Sequence, residues 1–440
     1  MVGLGKVTLI AFLVFDFGFQ NFKDFRTYKL IALPVLLLSL IAFNIHKYRS
    51  FNSTLKIKKT ARVNLVLLSL LIVLEIISII TNYQGSFLDT FFKERYIIEY
   101  GLLFYFFTRL TFLMRRIYSI YFNPAILFVG SFALIALAGT FLLMLPAATT
   151  HGITFIDALF TATSATAVTG LIVLDTAKDF TPFGQTIIMV LFQIGGLGML
   201  TFTSFFAYFF KSGASFKESL YMKDILGQEN LNSIMRVAMS IVVFSLVLEA
   251  VGALFIYSSL QGIDSYKDRG FFAVFHAISA YCNAGFSISS TGLYDESLRF
   301  NYYMQWVVMI LIVMGGLGYN IASNFIQYVK HFFYNLFNKN NKKFISRVIT
   351  LNTKIVIYTT ILLIVVGTGF FLISEQETFL SEHKTVFGKF TTAMFSSVTS
   401  RTAGFNTIDM SNFTVPGILF MIFLMWIGAS PASTGGGIKT

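Results

Sequence analysis

The sequence predicts an all-α integral membrane protein built around re-entrant segments, and three observations carry that prediction. Of its 440 residues, 55% are hydrophobic and 12% charged, with a mean hydropathy of +0.73; a soluble domain carries about twice that charged share. Several apolar runs reach the roughly 20 residues that a helix needs to cross about 30 Å of hydrocarbon. Three stretches also read alike: ALFTATSATAVTGL at 158–171, FHAISAYCNAGFS at 275–287 and SSVTSRTAGFNTIDM at 396–410. Each brings an apolar helical pattern to an abrupt small-residue segment with one glycine, and Gly170, Gly285 and Gly404 are spaced 115 and 119 residues apart. Self-similarity at such a period means one unit used several times.

Taken in order, residues 7–19 form an apolar stretch broken by Asp16, read as a first helix because no small-residue cleavage site follows it. Residues 30–45 and 65–80 are clearer spans. Between them Lys47, Arg49, Lys56, Lys58, Lys59 and Arg62 mark a cytoplasmic loop, since an excess of Lys and Arg stays on that side. Residues 96–114 lead to Arg115 and Arg116 and carry Glu99 and Arg109. An interfacial helix is the alternative there, but two basic ends require an even number of crossings, which favours a span. Residues 1–120 are thus read as N-terminal transmembrane helices.

The first unit, 121–232, has an outer helix at 125–145, a short helix at 156–165, the Gly170 segment and a return span at 182–210, followed by Lys211, Lys217 and Lys223. The second, 233–350, runs from a helix at 234–256 through the segment at 271–286 to a return span at 303–329, then Lys330, Lys339, Lys342, Lys343 and Arg347. The third, 351–440, begins with a helix at 355–373 and returns from Val415, its turns holding Glu375, Glu377, Glu382 and Asp409. Each unit enters from a basic loop and makes its excursion on the more acidic side, so the units are parallel rather than inverted.

Irregular backbone cannot face lipid, because its N–H and C=O groups would be unsatisfied; at membrane depth it survives where it lines a water-filled path. Several such segments around one axis present rings of carbonyl oxygens. Glycine supplies positive φ without a Cβ penalty, and the short helices aim their negative C-terminal ends at the same axis. That field suits a cation. A bare ion in hydrocarbon costs on the order of tens of kcal/mol, and carbonyls lower this by replacing its water shell.

Other features have plainer readings. The formal net charge of +12 sits in short loops between apolar spans, where it fixes orientation and argues against a nucleic-acid partner. The single cysteine, Cys282, excludes an intramolecular disulfide framework. His46, His151, His276, His331 and His383 are scattered and define no metal site. Glu249 and Glu75 lie in spans, where an acid is a functional candidate by default, yet Glu249 reads better as a structural hydrogen-bonding acid. Arg401, beside the third glycine segment, reads as a brace, since a positive charge in a cation path repels the cargo.

The segments TAVTGL, CNAGFS and RTAGFNT, with GGLG at 195–198 and 315–318 and GASPASTGGGIKT at 428–440, resemble the Trk/Ktr/HKT superfamily of potassium transporters, especially the bacterial Trk and Ktr membrane subunits. The resemblance covers 124–440. It implies four outer-helix, pore-loop, inner-helix units around one path, of which three are read here, so the chain is expected to be cut within its third inner helix with the fourth unit absent. It implies K+ uptake, no enzymatic activity, no covalently bound cofactor, and K+ held at backbone carbonyls of a selectivity filter. The filter residues implied are Ala167, Val168, Thr169, Gly170, Cys282, Asn283, Ala284, Gly285, Thr402, Ala403, Gly404 and Phe405, and glycine at 170 goes with selectivity for K+ over Na+. A gating loop is implied at Gly428, Ala429, Ser430, Pro431, Ala432, Ser433, Thr434, Gly435, Gly436 and Gly437, where a Ser-Pro pair and three glycines would unwind a helix. The GGLG motifs are either close-packing contacts or part of the gate. Also implied are membrane lipid as a partner, a homodimer, a bacterial plasma-membrane (inner-membrane) location, and a cytoplasmic nucleotide-binding regulatory subunit of the RCK/TrkA/KtrA type. The basic loops at 211–236 and 330–354 are its expected docking surface, or else they fix topology and touch anionic lipid. The alternatives are a secondary transporter with broken helices and a Na+-permeable member of the same superfamily. The N-terminal helices, more than the smaller Ktr members carry, are expected to serve packing or assembly.

Overall fold

In a computed structural model, the described residues are 124–197, 231–261, 268–337, 349–430 and 433–438, with pieces at 34–42, 44–45 and 64–73 and single residues at 18, 48, 62 and 102. The chain divides into two compact units, Met1–Asn123 with Leu145–Ala147, and Pro124–Met144 with Ala148–Thr440. In the first, the described pieces are helical; the spans expected at 7–19 and 96–114 fall almost wholly outside the described residues, as do Glu75, Lys339, Lys342, Lys343 and the loop at 198–230.

The second unit is all helical among the described residues. Its helices are α1 (Pro124–Leu143), α2 (Phe155–Thr166), α3 (Pro182–Gly196), α4 (Leu231–Ser259), α5 (Arg269–Cys282), α6 (Tyr302–Phe337), α7 (Leu351–Ser374), α8 (Val386–Thr399) and α9 (Val415–Trp426). Two isolated bridges, Thr149 with Phe180 and Ile427 with Ile438, are the β-type pairings among the described residues. Three stretches, Met239–Ser259, Tyr302–Tyr319 and Leu351–Ser374, are long and apolar enough to cross a membrane, with shorter apolar helices at Val129–Leu143, Pro182–Gly196 and Val415–Trp426.

The helix starts are written in the sequence. Side chains of Thr154, Thr181, Asp268, Thr350, Thr385 and Thr414 each accept an N–H from the first turn of α2, α3, α5, α7, α8 and α9. These caps supply partners that a helix start otherwise lacks. Proline in the first turn of α3 and α9 removes a donor that would be unpaired there anyway.

Burial runs opposite to a soluble protein's. Leu254, Tyr358 and Val365 on α4 and α7 are largely exposed, as lipid-facing residues are. The short helices α5 and α8 are enclosed over much of their length, with Phe272, Phe275, Ala280, Thr391, Phe395 and Ser397 buried, although Val386, Phe387 and Val274 are exposed. Phe192 of α3 packs on α5 and the chain just beyond it, edge-on to Phe275 at 5.3 Å and stacked on Phe286 at 6.0 Å. At the far end of α7, the fully buried Glu375 carboxylate accepts the Thr378 and Thr414 hydroxyls and the Thr414 N–H, tying α7 to the start of α9.

Within the segment at 271–286 the short helix runs to Cys282, where Asn283 turns left-handed at φ 57° and ends it. One boundary differs from the sequence reading. The return span expected at 303–329 is interrupted at Gly318, whose φ of 72° and ψ of 163° are non-helical. Only glycine takes that backbone readily.

In the loop between α7 and α8, the buried His383 exchanges hydrogen bonds with the Tyr302 hydroxyl (2.9 Å) and the Thr392 hydroxyl (3.1 Å). Burial holds its imidazole below the ordinary pKa, with Arg299 and Lys389 adding to the effect and Glu382 opposing it. A base with lowered folded pKa takes up protons more readily when unfolded, so its stability is present above the unfolded value and lost as pH falls below it. The expected result is a melting temperature that drops between about pH 7.5 and pH 5.5, by up to about 1.4 kcal/mol of stability per pH unit below the ordinary histidine pKa. The drop should be smaller in His383→Gln; equal drops in thermal melts of the two proteins would show that another group titrates.

Candidate functional site

The C-terminal ends of α2, α5 and α8 open into the three glycine segments. In each, a non-glycine residue with positive φ precedes, by two positions, a glycine with positive φ: Val168 (55°) and Gly170 (76°), Asn283 (57°) and Gly285 (72°), Thr402 (72°) and Gly404 (77°). The residues between them, Thr169, Ala284 and Ala403, do not have positive φ. Alternating signs of φ rotate successive peptide planes so that their carbonyls leave the chain on one side. Positive φ at β-branched Val168 and Thr402 is an outlier worth about 1–3 kcal/mol each, held in place by the surroundings. At Asn283 the side chain helps: its amide, in the orientation that satisfies its partners, donates to the Ala280 and Ile312 carbonyls at 3.0 and 3.2 Å.

The segments converge. A Cβ on Gly170 would strike the carbonyl oxygen of Ala284 and lie 3.4 Å from the Gly285 Cα. One on Gly285 would lie 2.8 Å from the Ala403 carbonyl oxygen and 3.2 Å from the Gly404 Cα. Gly170 and Gly285 therefore each pack on the peptide preceding the next segment's glycine, while the nearest atom to a Cβ on Gly404 is the Gly285 Cα at 3.4 Å.

Of the residues singled out from sequence, Ala167 caps α2 with right-handed φ, and Cys282 is still the last residue of α5. The Cys282 thiol is buried against Gly196 and lies 3.7 Å from the Gln193 Oε1. Gln193 in turn donates to both oxygens of the buried Glu249 at 3.0 and 2.9 Å, so Glu249 is a hydrogen-bonded acid joining α4 to α3, as its sequence setting suggested. Phe405 is buried, its ring 6.4 Å from that of His276. The GGLG glycines pack closely behind the segments: a Cβ on Gly195 would strike the Thr166 carbonyl oxygen, and one on Gly315 the Tyr281 carbonyl oxygen.

Beyond α9 the chain folds back on itself. The Gly428 N–H donates to the Ile438 carbonyl (3.0 Å), the Ala429 N–H to Gly436 (3.1 Å) and the Ile438 N–H to Trp426 (3.1 Å). This loop docks on the break in α6, with Ser430 and Thr434 N–H groups donating to the Gly316 and Gly315 carbonyls at 3.0 and 3.3 Å and the Ser430 hydroxyl to Leu317. The Thr434 hydroxyl reaches the Tyr281 carbonyl at 3.2 Å, and the Ser433 hydroxyl donates to the Ser430 carbonyl. A Cβ on Gly435 would lie 2.6 Å from the Thr402 hydroxyl and 3.3 Å from the Asn283 amide, so the loop abuts the second and third glycine segments. Gly437 has φ 73°. Pro431 and Ala432 lie outside the described residues. Arg401 spans the two features, its guanidinium donating to the Gly428 carbonyl at 3.0 Å, which makes it a brace between segment and loop.

Sequence reasoning missed three hydroxyls. Ser164, Ser279 and Thr399, in the last turn of α2, α5 and α8, donate to the carbonyls of Leu171 (2.7 Å), Phe286 (2.8 Å) and Phe405 (2.6 Å), in each case the residue after the glycine. A hydroxyl six, six and five residues before the glycine was the available signal.

Apolar helices long enough to cross a membrane, with three glycine segments packed on one another, make this, as a class, a multi-helix membrane protein with re-entrant segments. The chain belongs to the TrkH family of cation transport proteins, whose profile matches residues 97–440. It is 37% identical over 312 residues to the Ktr system potassium uptake protein B of Vibrio alginolyticus, covering 70% of this chain and 65% of that relative. To the protein of the same name from Bacillus subtilis it is 34% identical over 317 residues, 72% of this chain and 67% of the relative. To the potassium/sodium uptake protein NtpJ of Enterococcus hirae it is 33% identical over 320 residues, with the same two coverages, 72% and 67%. The chain thus spans about two thirds of the length of these curated relatives, from 65% to 67%. Its fold matches the crystal structure of the potassium transporter TrkH from Vibrio parahaemolyticus with a TM-score of 0.52 at 17% identity, over 92% of this chain and 72% of the other.

Proposed function

We propose that this protein carries K+ into a bacterial cell across the plasma membrane, along a channel-like path whose narrowest part is the point where the three glycine segments meet. The observation that carries the reading is the mutual packing of Gly170, Gly285 and Gly404, all at positive φ, at the C-terminal ends of three short helices. Carbonyl oxygens and helix C-termini there favour a monovalent cation stripped of part of its water. The filter is formed by residues 167–170, 282–285 and 402–405, and the units that carry it are bounded at about 121–232, 233–350 and 351–440, counted as members of a ring of four. The 428–438 loop is the gate, since it sits against two filter segments and is held by hydrogen bonds that can break and re-form.

Two relatives are named as components of the Ktr system. That supports association with further components of such a system; in this proposal the partner is a cytoplasmic nucleotide-binding regulatory subunit docking on the basic inner loops, and the membrane part is a homodimer. The second reading is joint K+ and Na+ permeation, which the name of the Enterococcus relative favours. The test is expression of the full coding sequence, with its regulatory subunit, in bacteria stripped of their own K+ uptake. Growth on scarce K+ with rubidium tracer uptake is the expected result. Uptake of Na+ at an equal rate would favour the second reading, and transport of neither would overturn both.

A further inference from the structure

We propose that the buried hydroxyls of Ser164, Ser279 and Thr399 set ion selectivity, as positioning residues that hold the glycine segments in their strained form; this rests on the reading of those segments as a cation path. Each of the three grips its segment at two points. The hydroxyl donates to the carbonyl just after the glycine, at 2.7, 2.8 and 2.6 Å. The same residue's own carbonyl accepts the N–H of the residue just before the glycine: Thr169 on Ser164 at 2.8 Å, Ala284 on Ser279 at 2.8 Å and Ala403 on Thr399 at 3.1 Å. The glycine is clamped from both sides to the last turn of its short helix.

Neighbouring hydroxyls show what an idle one does. Thr166 and Ser396 donate back to the fourth preceding carbonyl of their own helices, Ala162 at 2.7 Å and Thr392 at 3.0 Å, the ordinary fate of Ser and Thr in a helix. The three clamp hydroxyls are turned away from that option and toward irregular backbone. They are also enclosed, with 6%, 0% and 4% of their surface exposed, so water cannot substitute for them.

The consequence for selectivity is mechanical. Val168 and Thr402 would relax to negative φ if their segments were released, swinging a carbonyl off the path. A segment free to move by a few tenths of an ångström can close around the smaller Na+, whereas one held at fixed width favours K+. Whichever of cavity size or carbonyl field dominates, both depend on where the carbonyls are held.

The test is Thr399→Val, which keeps the shape and removes the donor, beside Thr399→Ser, which keeps the donor. Each is made in the full coding sequence, reconstituted into liposomes and assayed for K+ and Na+ flux. The expected K+/Na+ flux ratio of Thr399→Val is about fivefold to tenfold below wild type, the effect of one lost hydrogen bond, with Thr399→Ser within about twofold. Ser279→Ala and Ser164→Ala delete a single oxygen and should shift the ratio in the same direction, so the claim is tested even if Thr399→Val fails to fold. A merely structural hydroxyl would lower the melting temperature and leave the ratio alone; that outcome overturns the clamp while K+-selective wild-type flux keeps the path. A wild-type protein that moves no cation overturns both.

Discussion

Gly285→Ala is expected to lower K+ uptake at least about a hundredfold, roughly 2.7 kcal/mol of transport barrier. The added Cβ would sit 2.8 Å from the Ala403 carbonyl oxygen and 3.2 Å from the Gly404 Cα, on a residue whose φ is 72°. The contacts are backbone, which cannot swing aside as a flexible side chain would, and alanine at positive φ adds about 1 kcal/mol or more of its own. The displaced carbonyl belongs to the neighbouring segment, so one methyl disturbs two of the three. Gly369→Ala in α7 is the matched control: nothing lies within 4 Å of its Cβ position, and its backbone is helical. That variant should transport as wild type and be slightly stabilised, since alanine is the better helix former by about 0.5–1 kcal/mol. Rubidium tracer uptake at matched expression separates the two. Normal uptake in Gly285→Ala would remove that segment from the path.

The second large effect is in the loop after α9. Deleting residues 435–437 is expected to raise basal uptake severalfold, on the order of fivefold for about 1 kcal/mol of lost closure, and to blunt its control by the proposed regulatory partner. The loop is held by its internal pairings, by Ser430 and Thr434 on the α6 break, and by Arg401 on Gly428. Removing Gly435, Gly436 and Gly437 eliminates the partner of Ala429 and the turn that brings Ile438 back to Gly428. The helices around it keep their own caps and packing, so the protein should still fold. Wild-type flux and wild-type regulation in the deletion would make the loop an ordinary packing element.

The glycine triad was legible in the sequence because the physics that places it is local: a small-residue segment after a short apolar helix, with glycine where only positive φ serves. The caps at Thr154, Thr181, Thr385 and Thr414 are equally local, yet the sequence reading did not single them out. What escaped notice was long-range or chemically ordinary. A serine near a helix end, such as Ser279, looks like any other until its hydroxyl is seen to bond Phe286. That Asn283 holds its left-handed turn by donating its amide to both Ala280 and Ile312 depends on a neighbouring helix as well as its own. The break at Gly318 is invisible in an apolar run, since its freed carbonyls are satisfied by Ser430 and Thr434, more than a hundred residues away. Arg401 was read as a brace from charge alone, and Gly428 is what it braces.

In the proposed path the ion is selected where the three glycine segments meet. The measurement that tests it most directly is the K+/Na+ flux ratio of Gly170→Ser against wild type, both made from the full coding sequence and reconstituted in the same liposomes. A serine at 170 must leave φ 76° or push its Cβ into the Ala284 carbonyl, so it alters the ring rather than the surrounding helices. The expected wild type favours K+, and the expected variant ratio is lower by at least about fivefold, roughly 1 kcal/mol of lost discrimination. A variant that still conducts with the wild-type ratio would contradict it.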